Sequence, residues 1–322
     1  MLGTEQFPAT PAGYQTLLDW MRGFGRLLLV GVEGTGSYGT GLTRSLQAEQ
    51  ITVIEIDRPS RKTRRSQGKS DPIDAIAAAK AALAADRTGL PKQRDGRIEA
   101  LRNLRVARRS AVKQRADTQR QMKTLIVTAP DALRAQLRGL NTAQLITVCV
   151  NRRPDHRDTG NPATAVIIAL RCLARRHQHL SAEITDLDQL LQPLVTTINP
   201  ALTTANGVGT DVAGQLLVTA GDNHHRITSE AAFAMLCGAA PLPASSGKTN
   251  RHRLNRGGDR HANAALYTVV ISRLRWDQRT RDYTERRTKD GLSKKEITRC
   301  LKRYIARELY QLITSNNPQQ AA

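Results

Sequence analysis

The feature that most constrains the fold is a regular apolar pattern between residues 164 and 192. Eight positions follow one another at alternating steps of four and three residues, and all but one are aliphatic. They are Val166, Leu170, Leu173, His177, Leu180, Ile184, Leu187 and Leu191. This heptad pattern predicts a long helix that packs its apolar stripe against another helix. We expect the helix to be ended by the prolines that follow it, Pro193 and Pro200. We interpret His177 as a polar core residue that sets the register, rather than as a metal ligand.

A partner for this helix is predicted upstream. Residues 97–127 are rich in arginine and carry a weaker apolar stripe, which indicates a second long helix. Residues 151–163 have the composition of a linker, with prolines, a glycine and several charged residues. Two long helices joined by a linker predict an antiparallel coiled-coil arm.

The N-terminal third is predicted to alternate strands and helices. Residues 26–34 are an apolar run closed by glycine, residues 39–49 follow as a helix, and residues 51–57 are rich in β-branched side chains. A strand, a helix and a strand at this spacing are typical of a parallel βαβ unit. Further helices are predicted for residues 11–23 and for the alanine-rich residues 71–86.

The C-terminal third begins near Leu202, which is followed by Gly207 and Gly209. This order resembles a helix-hairpin-helix, in which glycines allow a tight turn and the next helix start offers backbone N–H groups to a phosphate. A plain turn between two helices explains the same pattern. We expect a basic helical region from Leu266 to about Thr314.

The charge balance indicates the class of partner. Lysine and arginine total 49 against 28 acidic residues, which gives a formal net charge of +21. A chain this basic is expected to bind a polyanion, and DNA or RNA suits it better than a small-molecule substrate. Aromatic residues make up only 3% of the chain, so stacking on bases cannot be the main binding mode.

Two clusters of basic residues are candidates for contacts with nucleic acid, although the first is also explained as a solvated loop. The first cluster is Arg61, Lys62, Arg64, Arg65 and Lys69, and the second is Lys248, Arg251, Arg253, Arg256 and Arg260. Gly207 and Gly209 are candidates for phosphate binding through their backbone. Because these contacts are made to phosphates, we expect binding that weakens steeply with salt.

Three acidic residues stand out against this basic background. Asp71 and Asp74 are three residues apart at a predicted helix start, where both carboxylates share one face, and Glu33 follows a predicted strand. Carboxylates next to a polyanion repel it unless a cation lies between them, so this set suggests a divalent metal such as Mg²⁺ acting on phosphodiesters. Ordinary capping of the helix by Asp explains the pair equally simply.

Ser245 and Ser246 lie in a glycine-rich segment close to several arginines. A serine hydroxyl can attack a phosphodiester and form a covalent intermediate, while arginines hold the phosphate and stabilise the developing charge. On spacing alone, a polar loop without chemistry is an alternative interpretation.

Other classes of site are not favoured by the sequence. The four cysteines have no C-x-x-C spacing and the histidines complete no zinc pattern, so free thiols in a reducing cytoplasm are expected. No apolar run approaches the roughly 20 residues of a membrane span, and no secretory signal is recognised at the start. We therefore expect a cytoplasmic, nucleoid-associated bacterial protein without membrane contact.

Several short motifs occur together in an order and spacing that are specific for one family. The N-terminal motifs are Glu33-Gly-Thr-Gly-Ser-Tyr38 and Lys69-Ser-Asp-Pro-Ile-Asp-Ala75. The C-terminal motifs are Gly207-Val-Gly209, Cys237-Gly-Ala-Ala-Pro241, Ser245-Ser-Gly247, Arg256-Gly-Gly-Asp-Arg260 and Ala264-Ala-Leu-Tyr267. On these motifs the chain, over nearly its whole length, resembles the insertion-sequence transposases of the family numbered one hundred and ten.

The resemblance implies a RuvC-like domain with a D-E-D-D set of acids, followed by a domain with an essential serine. Glu33, Asp71 and Asp74 match the glutamate and the last two aspartates, which implies that they bind Mg²⁺. Ser246, which directly precedes a glycine, matches the nucleophile. The implied function is DNA transposition by site-specific recombination between element ends and target, guided by a structured RNA. A site shared between subunits implies at least a dimer, and the family points to a tetramer.

One departure from the family concerns its first aspartate, which lies on an opening strand of the type Ile-Gly-Ile-Asp. No such strand precedes Glu33, and neither Asp19 nor Asp57 is a convincing substitute. We therefore expect an N-terminally truncated copy or a misplaced start codon. The expected result is an RNase H-like sheet without its first strand and a catalytically inactive chain.

The predicted fold class is α/β plus α. Residues 1–90 are assigned to the incomplete RNase H-like domain, residues 91–198 to the coiled-coil helical arm, and residues 199–322 to a helical serine transposase domain with a helix-hairpin-helix-like element. Two other functions stay open from the residues alone. One is a RuvC-like metal nuclease without serine chemistry, and the other is an inactive nucleic-acid-binding remnant.

Overall fold

The chain divides into two compact units. The computed structural model describes residues 2–56, 71–84, 88–246 and 251–315. The first unit comprises Met1–Arg94 with Asn223–Thr228, and the second comprises Asp95–Asp222 with Ser229–Ala322. The second unit therefore includes both long helices and the C-terminal helices. A separation into three domains near residues 90 and 198 stays a prediction.

The first unit is a small α/β structure. Its elements are α1 (Pro11–Arg22), β1 (Val30–Glu33), α2 (Thr40–Ala48), β2 (Val53–Ile56), α3 (Asp71–Ala84) and β3 (Thr88–Gly89). β1 pairs in parallel with β2, with Glu33 opposite Ile56, and β2 pairs antiparallel with β3. The predicted parallel βαβ unit is confirmed, with shorter strands than the sequence suggested.

The core of this unit is small because the strands are short. Leu18 of α1, Leu46 of α2, Val32 and Val53 form one buried cluster. A Cβ atom at Gly31 would lie 3.1 Å from the Ala82 side chain, so the glycine lets the alanine-rich α3 pack closely on β1. Within the described residues β1 has a single neighbouring strand, which makes it a sheet edge.

The second unit is almost entirely helical. Its helices are α4 (Arg97–Val127), α5 (Asp131–Leu137), α6 (Thr142–Asn151), α7 (Pro162–Ile198), α8 (Pro200–Thr204), α9 (Thr210–Ala220), α10 (Glu230–Leu236), α11 (Arg260–Trp276), α12 (Gln278–Lys289) and α13 (Lys294–Ser315). One two-stranded hairpin, formed by β4 (Leu242–Pro243) and β5 (His252–Arg253), lies between α10 and α11. No helix in the described ranges is both long enough and apolar enough to cross a bilayer.

The two long helices α4 and α7 run antiparallel, as expected for two long helices joined by a linker. Arg108 binds Asp188, whereas Gln119, further along α4, contacts His177, which is earlier in α7. Four positions of the heptad pattern are buried, and they are Leu170, Leu180, Ile184 and Leu191. The pairing confirms the antiparallel arrangement of the predicted arm, and a supercoiled coiled coil stays a prediction.

The predicted end of α7 at Pro193 is wrong, because the helix continues to Ile198. Proline removes one backbone donor from the helix interior, which costs stability but does not force an end when packing compensates. Val195, two residues later, is fully buried. Asn199 then ends α7 and caps α8: its Oδ1 accepts from Leu202 N at 2.9 Å, and its Nδ2 donates to Leu312 O in α13 at 2.9 Å.

The single helical region expected after Leu266 consists of three helices. Asp277 ends α11 and caps α12, with its Oδ2 accepting from Thr280 N at 2.9 Å. Gly291, with a φ of 84°, turns the chain between α12 and α13, and the Ser293 hydroxyl donates to Glu296 at 2.7 Å where α13 begins. These local caps divide a region whose composition is uniformly helical.

Candidate functional site

The segment with the candidate serines forms a short hairpin, which we call the serine hairpin (residues 242–246 and 251–253). Leu242 lies opposite Arg253, and Ala244 N donates to Arg251 O at 2.8 Å. The Ser245 hydroxyl accepts from Arg251 N at 3.3 Å, which places this serine in the hairpin's own hydrogen bonding. Ser246 follows as an exposed residue at the described end of the first strand.

Close backbone packing between two glycine-containing motifs positions the serine hairpin. Gly258 has a φ of +79°, and a Cβ atom there would lie 2.5 Å from Leu236 O and 2.6 Å from Gly238 N. Gly238 has a φ of +62°, and its Cβ would lie 2.6 Å from Gly257 O. Only glycine combines this conformation with so close an approach. The two motifs thus form a fixed base immediately before and after the serine hairpin.

Side chains from α11 complete this base. Asn263 Nδ2 donates to Cys237 O at 3.0 Å and to Gly238 O at 2.9 Å. Asp259 caps α11 by accepting from His261 N at 2.8 Å, and it also accepts from the Thr219 hydroxyl of α9 at 2.7 Å. The sequence reasoning missed Asn263 and used Asp259 only as part of a family motif. An Asp directly before a helix is a capping signal that could have identified its structural role.

The second basic cluster is partly placed by the structure. Arg251 and Arg253 are exposed on the second strand of the serine hairpin, while Arg256 and Arg260 are exposed on either side of the glycine pair. Lys248 and the entire first basic cluster lie outside the described residues. The structure therefore brings Arg251 and Arg253 to the same hairpin as Ser246, and the remaining contacts to nucleic acid stay predictions.

The predicted glycine turn lies between α8 and α9. Gly207 has a φ of +74°, and Gly209 is the residue that precedes α9. The first turn of α9 already carries a carboxylate, Asp211, which binds Arg105 at 2.9 Å and Arg108 at 3.3 Å. Two helices joined by a short turn are thus present. A helix-hairpin-helix and phosphate binding by Gly207 and Gly209 stay predictions.

In the first unit, Glu33 is the last residue of β1, followed by a tight glycine-rich loop. Gly39 N donates to Gly34 O at 3.1 Å, and the buried Thr35 donates its hydroxyl to Glu55 Oε1 at 2.6 Å. Glu33 is half-buried. Sequence reasoning missed Glu55, whose place opposite Val32 in the register puts it on the other face of the sheet from Glu33.

Asp71 and Asp74 lie in the first turn of α3, where Asp71 is exposed and Asp74 half-buried. This confirms the predicted helix start. Among the described residues, no three His, Cys, Asp or Glu side chains are grouped so that they could hold a metal ion. Glu33, Asp71 and Asp74 therefore do not form an assembled metal centre in this part of the chain.

Two family models match separate parts of the chain. A transposase model for the DEDD domain of IS110 matches residues 1–129. A second model, described as the transposase IS116/IS110/IS902 family, matches residues 199–285 and so includes the serine hairpin and the motifs at its base. No curated protein sequence matches the chain. DEDD transposase domains in general use divalent metal, and transposases bind DNA. The chain belongs to the IS110 family of insertion-sequence transposases.

Proposed function

We propose that this transposase cuts and rejoins DNA through Ser246, which attacks a phosphodiester and holds the DNA end covalently until strand exchange. The observation that carries this proposal is the placement of an exposed Ser246 on a hairpin that also bears Arg251 and Arg253. The rigid glycine base supports the proposal, because a nucleophile must be held in a fixed orientation to react efficiently.

The proposed step exchanges one phosphate ester for another. The Ser246 Oγ–P bond forms, the bond from phosphorus to the leaving sugar oxygen breaks, and that oxygen takes up a proton to become a hydroxyl. The serine proton passes to a base or to water. The guanidinium groups of Arg251 and Arg253 stabilise the negative charge on the non-bridging phosphate oxygens. Rejoining reverses the step with a different sugar hydroxyl.

Ser246 is preferred to Ser245 for a geometric reason. Ser245 Oγ exchanges contacts with the backbone of Arg251, at 3.3 Å from its N and 3.5 Å from its O. These contacts use the hydroxyl to close the hairpin. No hydrogen bond engages the Ser246 hydroxyl within the described residues, so it is available for chemistry.

We propose Mg²⁺ as the divalent ion, with Glu33, Asp71 and Asp74 as its carboxylate ligands by their match to the family. Bound there, Mg²⁺ would supply positive charge to a phosphodiester. The described residues do not assemble these three side chains into a site. Substitution of Asp71 or Asp74 by Asn tests the assignment through loss of recombination.

A structured guide RNA and a dimeric or tetrameric assembly are proposed from the family resemblance. The net charge of +21 supports a polyanionic partner beyond a single DNA contact. The α/β part is proposed to be RNase H-like, and the helix-hairpin-helix-like turn at Gly207 and Gly209 is proposed to contact nucleic-acid backbone.

The serine mechanism is tested with Ser246→Ala and its neighbour Ser245→Ala in a recombination assay, in which every protein, including the unmodified one, carries the family's opening Ile-Gly-Ile-Asp strand. We expect Ser246→Ala to abolish recombination and the covalent protein–DNA adduct seen on a denaturing gel, with DNA binding unchanged because no charge is lost. Ser245→Ala should retain the adduct. An adduct of normal yield from Ser246→Ala would refute the assignment, and cleavage without any adduct in the unmodified protein would favour a water-using nuclease.

A further inference from the structure

A cavity of about 640 Å³ opens beside the serine hairpin, within the second unit. One wall is the second hairpin strand with the loop at Gly238–Pro241, and the other wall is formed by residues of α12, α13 and the turn between them. This second hairpin strand directly follows Arg251, whose backbone N donates to Ser245 Oγ at 3.3 Å. The cavity and the candidate nucleophile therefore share a structural element.

The lining of this cavity is strongly cationic. Its basic residues are Arg251, Arg253, Arg287, Arg299, Lys302 and Arg303. Among the described lining residues the acidic side chains are limited to Glu296, which accepts from the Ser293 hydroxyl at 2.7 Å and lies 3.8 Å from Arg299. The positive charge of the cavity greatly exceeds the negative charge, so the cavity suits an anion.

Lys302 is the most informative of these residues because it is buried, with 8% of its surface exposed. Its Nζ donates to Asn263 Oδ1 at 2.8 Å, and no carboxylate pairs with it in the described part of the chain. Burial, followed by the nearby Arg299, lowers the pKa of the Lys302 ammonium. A buried ammonium opposite a neutral amide is costly, and an anionic ligand would compensate it.

Two arginines of the lining also hold buried nitrogen atoms. Arg287 Nε and Arg303 Nη1 have no hydrogen-bond partner within the described residues. Each guanidinium holds a carboxylate through another nitrogen, Arg287 on Asp290 at 2.9 Å and Arg303 on Glu230 at 3.4 Å. These pairs fix the two arginines in place while leaving donors unused. Both guanidinium groups therefore stay beside the cavity, where they add to its positive charge.

The rest of the lining is mixed, because His252 and Asn255 are polar whereas other residues offer apolar or aromatic surface. Tyr304 and Leu254 are about half exposed, and Pro241 lies beside them in the lining. A ring such as Tyr304 offers a stacking surface to a base. The volume lies within the roughly 300–1,000 Å³ that is usual for pockets that hold compact organic ligands.

We propose that this cavity binds one nucleotide of a nucleic-acid strand, with a phosphate at Lys302 and the arginines and the base against Tyr304 and Leu254. The chemistry is common to a DNA strand and to a guide RNA. The inference rests on the proposed function only where it places this nucleotide next to the phosphodiester that Ser246 attacks. Nucleotide binding itself does not depend on the serine chemistry.

The test compares Lys302→Met with Lys289→Met in the full-length protein. Both changes remove one lysine charge from the second unit, but Lys289 is exposed and paired with Glu285. Binding of labelled single-stranded DNA and RNA oligonucleotides of the same sequence is measured by fluorescence anisotropy. We expect Lys302→Met to weaken binding about tenfold, and Lys289→Met about twofold or less.

If Lys302→Met loses affinity for DNA alone or for RNA alone, the result supports the cavity and identifies which nucleic acid supplies the nucleotide. If it loses affinity for both, the cavity accepts a nucleotide from either one. Equal affinities of Lys302→Met and Lys289→Met for both oligonucleotides would overturn the proposal. If Lys302→Met does not fold by circular dichroism, Arg299→Gln replaces it with the same expected loss.

A base-specific readout separates nucleotide binding from general charge. We expect the unmodified protein to prefer an intact oligonucleotide to an abasic one, and Tyr304→Leu to lose this preference. Equal preference in both proteins would overturn the placement of the base. The same titrations on Ser246→Ala keep the two proposals apart, because oligonucleotide binding should persist there even if the serine assignment fails.

Discussion

The glycine-rich loop after β1 and the glycine base of the serine hairpin solve different problems with the same residue. In the first unit, Gly34 has a φ of +68°, and a Cβ atom at Gly39 would lie 2.7 Å from Glu33 O, so both glycines serve one local, compact loop. In the second unit, Gly238 and Gly258 both have positive φ and touch backbone atoms of each other's segment. The comparison shows that the serine hairpin is anchored on both sides, whereas Glu33 ends a strand that has one neighbouring strand within the described residues.

The largest expected effect tests this anchoring directly. Gly258→Ala forces an alanine into the left-handed region and places its Cβ against three backbone atoms. We expect a loss of roughly 3 kcal/mol or more of unfolding free energy, with loss of recombination. Denaturant unfolding followed by circular dichroism measures it. Gly160→Ala, where no atom lies within 4 Å, is the control and should change little.

If Gly258→Ala were as stable as Gly160→Ala, the base of the serine hairpin would have to be adaptable, and the contrast between the two regions would disappear.

A smaller effect is expected in the first unit. Thr35→Val keeps the side-chain shape but removes the hydroxyl that donates to Glu55 at 2.6 Å. Because Glu55 keeps its place on β2, the lost hydrogen bond should cost about 1.5–3 kcal/mol. Hydrogen exchange of β1 and β2 should increase while α11 and α13 stay protected. Thr16→Val, at an exposed helix position, is the matched control.

Faster exchange throughout the chain in Thr35→Val would show that the two units unfold together, and would contradict a local effect.

The smallest effect concerns the contact between the long helices. Burial, with a contribution from Arg115, lowers the pKa of His177 below its usual 6.5. The unfolded chain then binds a proton more readily than the folded chain, so stability falls as the pH drops below about 6.5. His177→Leu should reduce this loss of melting temperature between pH 7 and pH 5. His179→Leu, exposed on the same helix, should retain it.

A pH dependence that is unchanged in His177→Leu would rule out a contribution of this residue to acid sensitivity.

Periodicity predicted the large elements well because it reflects burial, which is averaged over many residues. The antiparallel helices α4 and α7 and the parallel pair β1 and β2 were found in this way. The helices α5 and α6 and the breaks at Asp277 and Gly291 were missed, since single caps decide them. The capping box of Asn141 and Gln144 is a local signal that could have revealed α6.

The candidate site was predicted only as far as its motifs are contiguous in sequence. Ser246 and Arg251 are close along the chain, and their segment could be identified directly. Lys302 lies in a basic helix, where its charge cannot be distinguished from solvated surface before the packing is known. Its hydrogen-bond partner, Asn263, is remote in sequence and carries no charge.

Asn199 has a mechanical consequence. This 2% exposed side chain joins the end of α7 to the start of α8 and to Leu312 of α13. The C-terminal end of the 37-residue helix α7 is therefore fixed to α13 by a hydrogen bond. A rotation of α7 about this end either breaks the hydrogen bond or moves α13, which carries part of the cationic wall of the cavity.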